Sequence, residues 1–406
     1  MELKKYKLRD IAKIEISGVD KKTKEGELPI RLCNFVDVYH NWAITNSLYD
    51  NFMCASAKEA EIAKCSIRKG QVAITKDSET RDDIGIATYI ADDFTDVLLG
   101  YHCASITPNE NFLDGKYLNA FMHTSYIQKY FENNASGSGQ RYTLSNDTIS
   151  NIPILLPSLE KQHKIGAILS NIDRKIELNK AINDNLEAMA KQLYDYWFMQ
   201  FDFPNEEGKP YKSSGGEMVY NERLKREIPK GWEILHLADC LSCKTERVDK
   251  SEIQKTDFYT PIEVIPRKQM SLNETVPIEE AVSGICRYKK GNILLSNRRV
   301  YFHKVCIAPF DGLTRDTVIV LEPIRKELLA YYYETVFSEK FIAYATKHSY
   351  GSEQPVLSWS AAQKFEILKP TNQLDYKFST VVDNIIETVL NNHCLLYTSD
   401  AADDRI

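Results

Sequence analysis

Two stretches of the chain, residues 136–157 (SGSGQRYTLSNDTISNIPILLP) and residues 349–370 (SYGSEQPVLSWSAAQKFEILKP), follow the same order of residue types. Each begins with a loop rich in glycine, serine and glutamine, continues into a short apolar run and ends at a proline. At a constant offset, Leu144 aligns with Leu357 and the final prolines coincide. The chain therefore contains one structural module twice.

The repeat extends upstream of these stretches. A Lys-Gly turn precedes an aliphatic run at residues 68–74 (RKGQVAI) and again at residues 289–295 (KKGNILL). Aliphatic and β-branched residues after such a turn predict a buried strand. An amphipathic, aromatic-rich helix is predicted between this strand and the loop, near residues 117–131 and 328–344. Each half therefore mixes strands and helices, which indicates an α+β fold.

After each proline the apolar period becomes helical. Steps of three and four residues predict a rod from residue 159 to about residue 198, roughly 55 Å long at 1.5 Å per residue. A second rod begins after residue 370. Their repeated apolar positions predict a coiled-coil seam. The predicted seam residues are Ile165, Ile168, Ile172, Ile182, Leu186, Met189, Leu193, Phe378, Val381 and Ile385.

Composition excludes several classes of protein. The 406 residues carry a formal charge of −6, so DNA binding by bulk positive charge is not expected, although local basic patches remain. No apolar run approaches the roughly 20 residues of a membrane span. The nine cysteines are scattered, which favours reduced thiols and a cytoplasmic location. No spacing of cysteine and histidine predicts a metal site.

Residues 154–203 (ILLPSLEKQHKIGAILSNIDRKIELNKAINDNLEAMAKQLYDYWFMQFDF) and 208–234 (GKPYKSSGGEMVYNERLKREIPKGWEI) are the most distinctive parts of the chain. With the repeat, they resemble the specificity subunits of Type I restriction–modification systems. The resemblance covers nearly the whole chain. It implies two repeated target-recognition domains that are joined and spaced by long helices forming an antiparallel coiled coil.

The resemblance also implies domain boundaries. We expect target-recognition domain 1 in residues 1–158, the first spacer helix in 159–200, a linker in 201–232, target-recognition domain 2 in 233–370 and a second spacer helix in 371–393. Residues 394–406, beginning CLLYTSDAADD, look like the translation of a transposase adapter from a sequencing library. We therefore expect these residues to be a non-native tail and the second helix to be truncated.

The function implied by the resemblance is that of a DNA sequence-recognition subunit that reads a bipartite, asymmetric site. The implied partners are double-stranded DNA, two methyltransferase subunits and, for cleavage, restriction subunits. The chain has no Asp/Asn-Pro-Pro-Tyr/Phe motif, no glycine-rich cofactor loop and no GxxxxGK[ST] sequence. We therefore expect a non-catalytic chain without a cofactor, with S-adenosylmethionine, ATP and Mg²⁺ bound by the partner subunits.

Candidate DNA contacts come from the repeated loop and from basic residues near predicted turns. The loops combine flexible backbone with side chains that suit phosphates and base edges. Arginine can read guanine, and asparagine can read adenine, through paired hydrogen bonds. The candidates are Lys69, Lys76, Arg81, Ser136, Ser138, Gln140, Arg141, Tyr142, Lys289, Lys290, Asn297, Arg298, Arg299, Tyr350, Ser352 and Gln354.

Two other functions stay open at this point. The first is a coiled-coil scaffold whose duplicated domains bind protein instead of DNA, with the loops as ordinary surface turns. The second is a self-contained DNA-modification enzyme, which the missing catalytic and cofactor motifs disfavour. Salt-sensitive binding of duplex DNA distinguishes a reader from a scaffold.

Overall fold

The computed structural model describes residues 3–137, 141–254, 257–281 and 283–403. It divides into two compact units, Met1–Ile176 (unit 1) and Glu177–Ile406 (unit 2). Both units contain strands and helices, as an α+β fold requires.

The strands of unit 1 are β1 (Lys4–Lys7), β2 (Ala12–Ile16), β3 (Leu28–Cys33), β4 (Ala43–Ile44), β5 (Met53–Ala57), β6 (Val72–Thr75), β7 (Asp77–Ser78), β8 (Ala87–Ile90), β9 (Val97–Leu99), β10 (Cys103–Pro108), β11 (Ser136–Gly137), β12 (Tyr142–Thr143) and β13 (Pro153–Leu156). The helices are α1 (Leu8–Ile11), α2 (Phe35–His40), α3 (Glu59–Cys65), α4 (Gly115–Met122), α5 (Ser125–Asn134), α6 (Asn146–Ser150) and the long α7 (Leu159–Tyr194), which begins in this unit. A 3₁₀ segment occupies Asn46–Asn51.

A five-stranded sheet in the order β2-β10-β6-β8-β4 forms the centre of unit 1. The predicted strand after the Lys-Gly turn is β6, and all four of its residues are buried. Helices α4 and α5 contribute Leu118, Ile127 and Phe131 to the core over this sheet. Unit 1 also contains the smaller sheets β5-β3-β9, β11-β12-β7 and β1-β13.

The strands of unit 2 are β14 (Met218–Asn221), β15 (Arg226–Pro229), β16 (Glu233–His236), β17 (Leu241–Lys244), β18 (Ile285–Tyr288), β19 (Ile293–Ser296), β20 (Val305–Ile307), β21 (Gly312–Arg315), β22 (Val318–Pro323) and β23 (Glu366–Lys369). The helices are α8 (Leu329–Phe337), α9 (Glu339–Lys347), α10 (Trp359–Ala362) and α11 (Leu374–Asp403). One π-helical turn, Asp195–Met199, follows α7, and β17-β22-β19-β20 is the largest sheet.

The internal repeat is confirmed by matching hydrogen bonds. In unit 1 the amide of Leu144 donates to the carbonyl of Lys76 at 2.8 Å, and in unit 2 the amide of Leu357 donates to the carbonyl of Asn297 at 2.8 Å. The strand before each long helix also pairs, antiparallel, with a strand near the start of its unit: β13 with β1, and β23 with β16. The two halves therefore share a backbone framework.

The two long helices pack antiparallel within unit 2. Tyr194 of α7 contacts Phe378 of α11, with ring centroids 6.0 Å apart, and Asn183 hydrogen-bonds to Asn392. Residue numbers thus rise along α7 as they fall along α11. Leu186, Leu193, Phe378 and Ile385 belong to this packed face, as predicted.

The predicted register of the seam was wrong by one residue at several positions. Ile182 and Met189 are 46% and 58% exposed, and Val381 is 51% exposed. Their neighbours Asn183, Ala190 and Val382 are buried instead. One residue turns a helix face by about 100°. Burial of the large rings of Tyr194 and Phe198 stabilises the fold more than burial of the helix face that carries Ile182. These rings therefore decide which face of α7 packs against α11.

The unit 1 part of α7 shows a similar difference. Ile165 packs against the core of unit 1, but Ile168 and Ile172 are exposed. Gln162 is buried, and its amide donates to the carbonyl groups of Phe112 and Pro157, each at 3.0 Å. A buried glutamine therefore fixes the start of the helix where the apolar pattern predicts only isoleucines.

We expect Asn183→Ala to destabilise unit 2 by about 1 kcal/mol, because it leaves the Asn392 amide without its buried partner. The Asn392 amide donates to Asn183 Oδ1 at 2.8 Å, and Asn183 Nδ2 donates to the Val389 carbonyl at 3.5 Å. Urea unfolding measures the change. The control is Asn185→Ala, an exposed asparagine on the same helix with the same gain in helix propensity. Equal stability of the two variants would contradict a structural role for the pair.

No helix among the described residues is both long enough and apolar enough to cross a membrane. The eight cysteines whose side chains the structure describes are free thiols.

Candidate nucleic-acid interface

In unit 1 the predicted DNA-facing loop forms a hairpin at the edge of the sheet β11-β12-β7. Gly137 has a φ of +147°, and a Cβ at this residue would lie 2.1 Å from the carbonyl oxygen of Arg141. Only glycine therefore fits where the two arms of the hairpin approach each other. Ser138 and Gln140 lie outside the described residues.

The structure gathers several of the predicted DNA contacts around this small sheet. Ser136 begins β11, Tyr142 begins β12 directly after Arg141, and Lys76 precedes β7. The Arg81 guanidinium lies over the Tyr142 ring, 5.0 Å from its centroid. Residues far apart in the chain thus meet on one surface, because β12 pairs with β7.

Asp77 is the centre of this surface, although no sequence pattern predicts it. Its Oδ2 lies 3.2 Å from Lys76 Nζ, 2.7 Å from His102 Nδ1 and 3.1 Å from Arg141 Nη2. The Thr143 hydroxyl donates to Oδ1 at 2.6 Å. Burial opposes ionisation, but the hydrogen bonds from Thr143 and His102 and the charge of Lys76 outweigh it and lower the pKa of Asp77 to about 2.

The prediction of Lys76 as a DNA contact needs correction. Its side chain is only 12% exposed, and its ammonium group is held by Asp77. A buried carboxylate needs such a partner, because an unpaired charge away from water is strongly destabilising. Lys76 therefore neutralises Asp77 from within the fold, whereas Arg141 and Arg81 remain exposed.

Lys69, Lys289 and Lys290 lie elsewhere in their units. They belong to the turns that precede β6 and β19, where the amides of Lys69 and Lys290 donate to Asp93 and Asp311. The loops lie beyond the opposite ends of these strands, about 13 Å away for four residues at about 3.3 Å each. The structure thus separates these three lysines from the loops with which they were predicted to act.

Unit 2 presents the second loop on the same framework. Arg298 and Tyr350 each form a β-bridge with Val356, so the loop pairs with the segment after β19. Arg298 and Tyr350 are exposed, as are Ser352 and Gln354 between them along the loop. The paired-loop surfaces are defined as β7, β11 and β12 in unit 1 and residues 297–299 and 350–357 in unit 2.

Asn297 and Arg299 are less accessible than predicted. The Asn297 amide donates to the Asp316 carbonyl at 3.0 Å, and its Oδ1 is buried without a partner among the described residues. Its side chain therefore faces the fold instead of a base. Arg299 adopts a left-handed conformation, with a φ of 46°, and its amide is tied to the Pro355 carbonyl at 2.9 Å. Such strain persists only where the surrounding structure enforces it.

A cavity of about 600 Å³ opens beside the paired-loop surface of unit 1. Helix α2 contributes Phe35 and Tyr39 to the lining of the cavity, which also includes His102 and Arg141. The Tyr39 hydroxyl donates to both carboxylate oxygens of Asp83 at 2.9 Å. The combination of flat apolar rings with oriented polar groups suits contact with a nucleobase.

The charge of this region is mixed. Arg81 is flanked by Glu79, Asp82 and Asp83 in the sequence, and Glu79 and Asp83 line the cavity together with Arg141. Carboxylates accept hydrogen bonds from the amino group of cytosine, and they repel phosphates. The arrangement therefore suits selective contact with base edges better than unselective attraction to the DNA backbone.

Two comparisons of sequence identify the family. The family model described as "Type I restriction modification DNA specificity domain" matches residues 1–188 and again residues 229–393. The MjaIX specificity subunit of a Type I restriction enzyme from Methanocaldococcus jannaschii is 26% identical over 82% of this chain and 76% of its own length. The HindI specificity subunit from Haemophilus influenzae is 32% identical over 34% of this chain and 30% of its own.

A comparison of structures agrees on the fold. The crystal structure of a Type I restriction–modification S subunit from M. genitalium superposes with a TM-score of 0.56 at 13% identity, covering 99% of this chain and 95% of that one. The two matches to the family model define a chain with two DNA-specificity domains. The chain belongs to the family of Type I restriction–modification specificity subunits, and it is a non-catalytic DNA sequence-recognition subunit.

Proposed function

We propose that each unit reads one half of a bipartite, asymmetric duplex site through its paired-loop surface. One observation carries the proposal: the same hydrogen bond fastens the loop to the strand end in both units, at Leu144 and at Leu357. The exposed side chains on the two frameworks differ, with Arg141 at one loop and Gln354 at the other. A common framework with different side chains suits two half-sites of different sequence.

The partners follow from this reading. A DNA-recognition subunit without catalytic activity needs methyltransferase subunits to modify its site. Two methyltransferase subunits match the two half-sites. Restriction subunits join the assembly for cleavage, as the family implies. S-adenosylmethionine, ATP and Mg²⁺ then belong to these partners, and the whole complex acts in the cytoplasm, where the chromosome is accessible.

Methylome sequencing tests the proposal. We expect a host that expresses this chain with the methyltransferase subunit of the same system to gain adenine methylation at a bipartite motif with a fixed gap. The control host expresses the methyltransferase subunit alone and gains no such motif. A complex that assembles and yet methylates no motif, or one contiguous motif, would contradict the proposal.

Duplex binding separates this function from that of a protein-binding scaffold. The affinity of a DNA reader falls as salt rises, because each phosphate contact releases counterions. We expect the complex of this chain with its methyltransferase partner to bind a duplex that contains the motif about a thousandfold more tightly than a duplex of scrambled sequence. Fluorescence anisotropy at several salt concentrations measures both quantities. Equal affinity for both duplexes at every salt concentration would support the scaffold.

A further inference from the structure

The two paired-loop surfaces place different side chains at matching backbone positions. In unit 1, β7 residue Asp77 pairs with Thr143 of β12. In unit 2, Arg298 pairs with Val356, which occupies the place of Thr143 one residue before the shared leucine. The position of Asp77 thus corresponds to that of Arg298. Counting back from the same leucines, Arg141 corresponds to Gln354.

Contacts with Asp77 and His102 orient the side chain of Arg141. Its Nη2 lies 3.1 Å from Asp77 Oδ2 and 2.7 Å from His102 Nδ1. Asp77 is itself held by Thr143 and is only 8% exposed, whereas the Arg141 side chain is 53% exposed. A buried anchor thus holds one edge of a guanidinium on a side chain that is about half exposed.

This geometry reduces the cost of reading a base. A free arginine loses much rotamer entropy when it binds, and a side chain already held in one orientation loses less. The guanidinium donors left free by Asp77 match the two acceptors of guanine, O6 and N7, in the major groove. Lys76 offsets the carboxylate charge, so the arginine keeps its attraction for an acceptor-rich edge.

Unit 2 offers different chemistry at the corresponding places. Gln354 carries an amide, which matches the donor and acceptor of adenine, and Arg298 replaces the aspartate. Both residues are exposed. The reading pair is therefore an arginine supported by an aspartate in one unit, and a glutamine beside an arginine in the other.

Building on the proposed function, we propose that Arg141 is a specificity-determining residue that reads a guanine in one half-site, and that Asp77 positions it. The matching places in unit 2, Arg298 and Gln354, determine bases in the other half-site. The difference between these pairs accounts for part of the asymmetry of the recognised site. One base pair of the motif should therefore depend on Arg141 alone.

The experiment compares methylomes of hosts that express the full chain, wild type or variant, with the methyltransferase subunit. We expect Arg141→Ala and Arg141→Lys to relax the preference for guanine at one position of one half-site by roughly tenfold, with the other half-site unchanged. Arg298→Ala should alter only the other half-site. Lys64→Ala, a change at an exposed position of α3 in the same unit, is the matched control and should leave the motif intact.

Asp77→Asn tests the positioning role. We expect it to relax the same base position as Arg141→Ala and no other, and the double variant to relax that position no further than Arg141→Ala does. A merely structural aspartate would instead weaken every position of that half-site or abolish methylation. That pattern for Asp77→Asn would overturn the positioning role.

Failure of this inference is distinguishable from failure of the proposed function. If the wild type yields no bipartite motif, the proposed function fails. If the wild type yields one and both Arg141 variants retain it unchanged, the assignment of Arg141 is overturned. Loss of methylation at all sites by both Arg141 variants would also overturn it, because a single base-reading side chain affects one position.

Discussion

We expect Phe378→Ala to lower the free energy of unfolding of unit 2 by about 4 kcal/mol, since it empties the centre of an aromatic cluster. Phe378 is fully buried, with the Phe198 ring 5.2 Å away and the Tyr194 ring 6.0 Å away. The antiparallel contact between α7 and α11 depends on these rings. The loss includes the transfer of the side chain and the cavity that remains, because the neighbours are tied to other elements.

Val381→Ala, one turn further along the same helix, is the control. Val381 is exposed, so we expect its truncation to change stability by less than about 0.5 kcal/mol. Urea unfolding of both variants, followed by tryptophan fluorescence of Trp197 and Trp232, measures the difference. Comparable losses for Phe378→Ala and Val381→Ala would mean that both residues lie in the seam, as the heptad pattern predicts.

The second large expected effect is a change in the stability of unit 2 with pH. Glu334 of α8 is buried, and burial, with the nearby carboxylates of Asp195 and Glu187, raises its pKa to about 8. The folded protein therefore holds a proton that the unfolded chain releases near the ordinary glutamate pKa of 4.5. Burial likewise raises the pKa of Glu187 to about 7, although the Met270 amide donates to it. Both groups make unit 2 more stable when protonated.

The difference between the folded and unfolded pKa values of Glu334 sets the direction in which stability changes with pH. The stabilisation by protonated Glu334 is fully present below about pH 4.5 and is lost as pH rises through about 8. Between pH 5 and pH 8 we expect this group to remove roughly 3 kcal/mol of stability. Burial lowers the pKa values of His303 and His393, so these groups act in the opposite direction, losing stability as pH falls.

Glu334→Gln isolates the carboxyl group, since glutamine keeps its shape and removes its titration. We expect the variant to match the wild type near pH 5 and to be more stable at pH 8 by roughly 3 kcal/mol. The histidines are common to both proteins and cancel in the comparison. Glu279→Gln, at an exposed position of unit 2, should change stability equally at both pH values. A Glu334→Gln difference that does not vary with pH would refute the raised pKa.

Much of the fold is predictable because its signals are local. The strand β6 follows a Lys-Gly turn and begins with three consecutive apolar residues, so its burial can be inferred from the sequence. The repeat is visible because loop, strand and proline recur in order, and each half then forms the same hydrogen bond at its leucine. The length of α7 follows from a helical period that continues past the polar residues Lys175 and Asn179.

The site depends on contacts that the sequence order conceals. Asp77 lies 64 residues from Arg141 and 25 residues from His102 along the chain, and no periodicity links them. A single aspartate after a strand forms no recognisable sequence motif. The role of Asp77 becomes visible only in the structure, where β7 pairs with β12. The prediction therefore included Arg141 and Lys76 and omitted the carboxylate that orients one and is neutralised by the other.

The sequence by itself determined the duplicated module, the strand and helix order and the family. These properties depend on residue types and on their spacing along the chain, and both are visible in the sequence. The tertiary structure alone decided which helix face is buried and which basic residues share a surface. Ala190 replaces Met189 in the packed face because the rings of Tyr194 and Phe198 orient α7. Arg141 gains its orientation because distant strands bring Asp77 beneath it, and such placement depends on packing between segments remote in the chain.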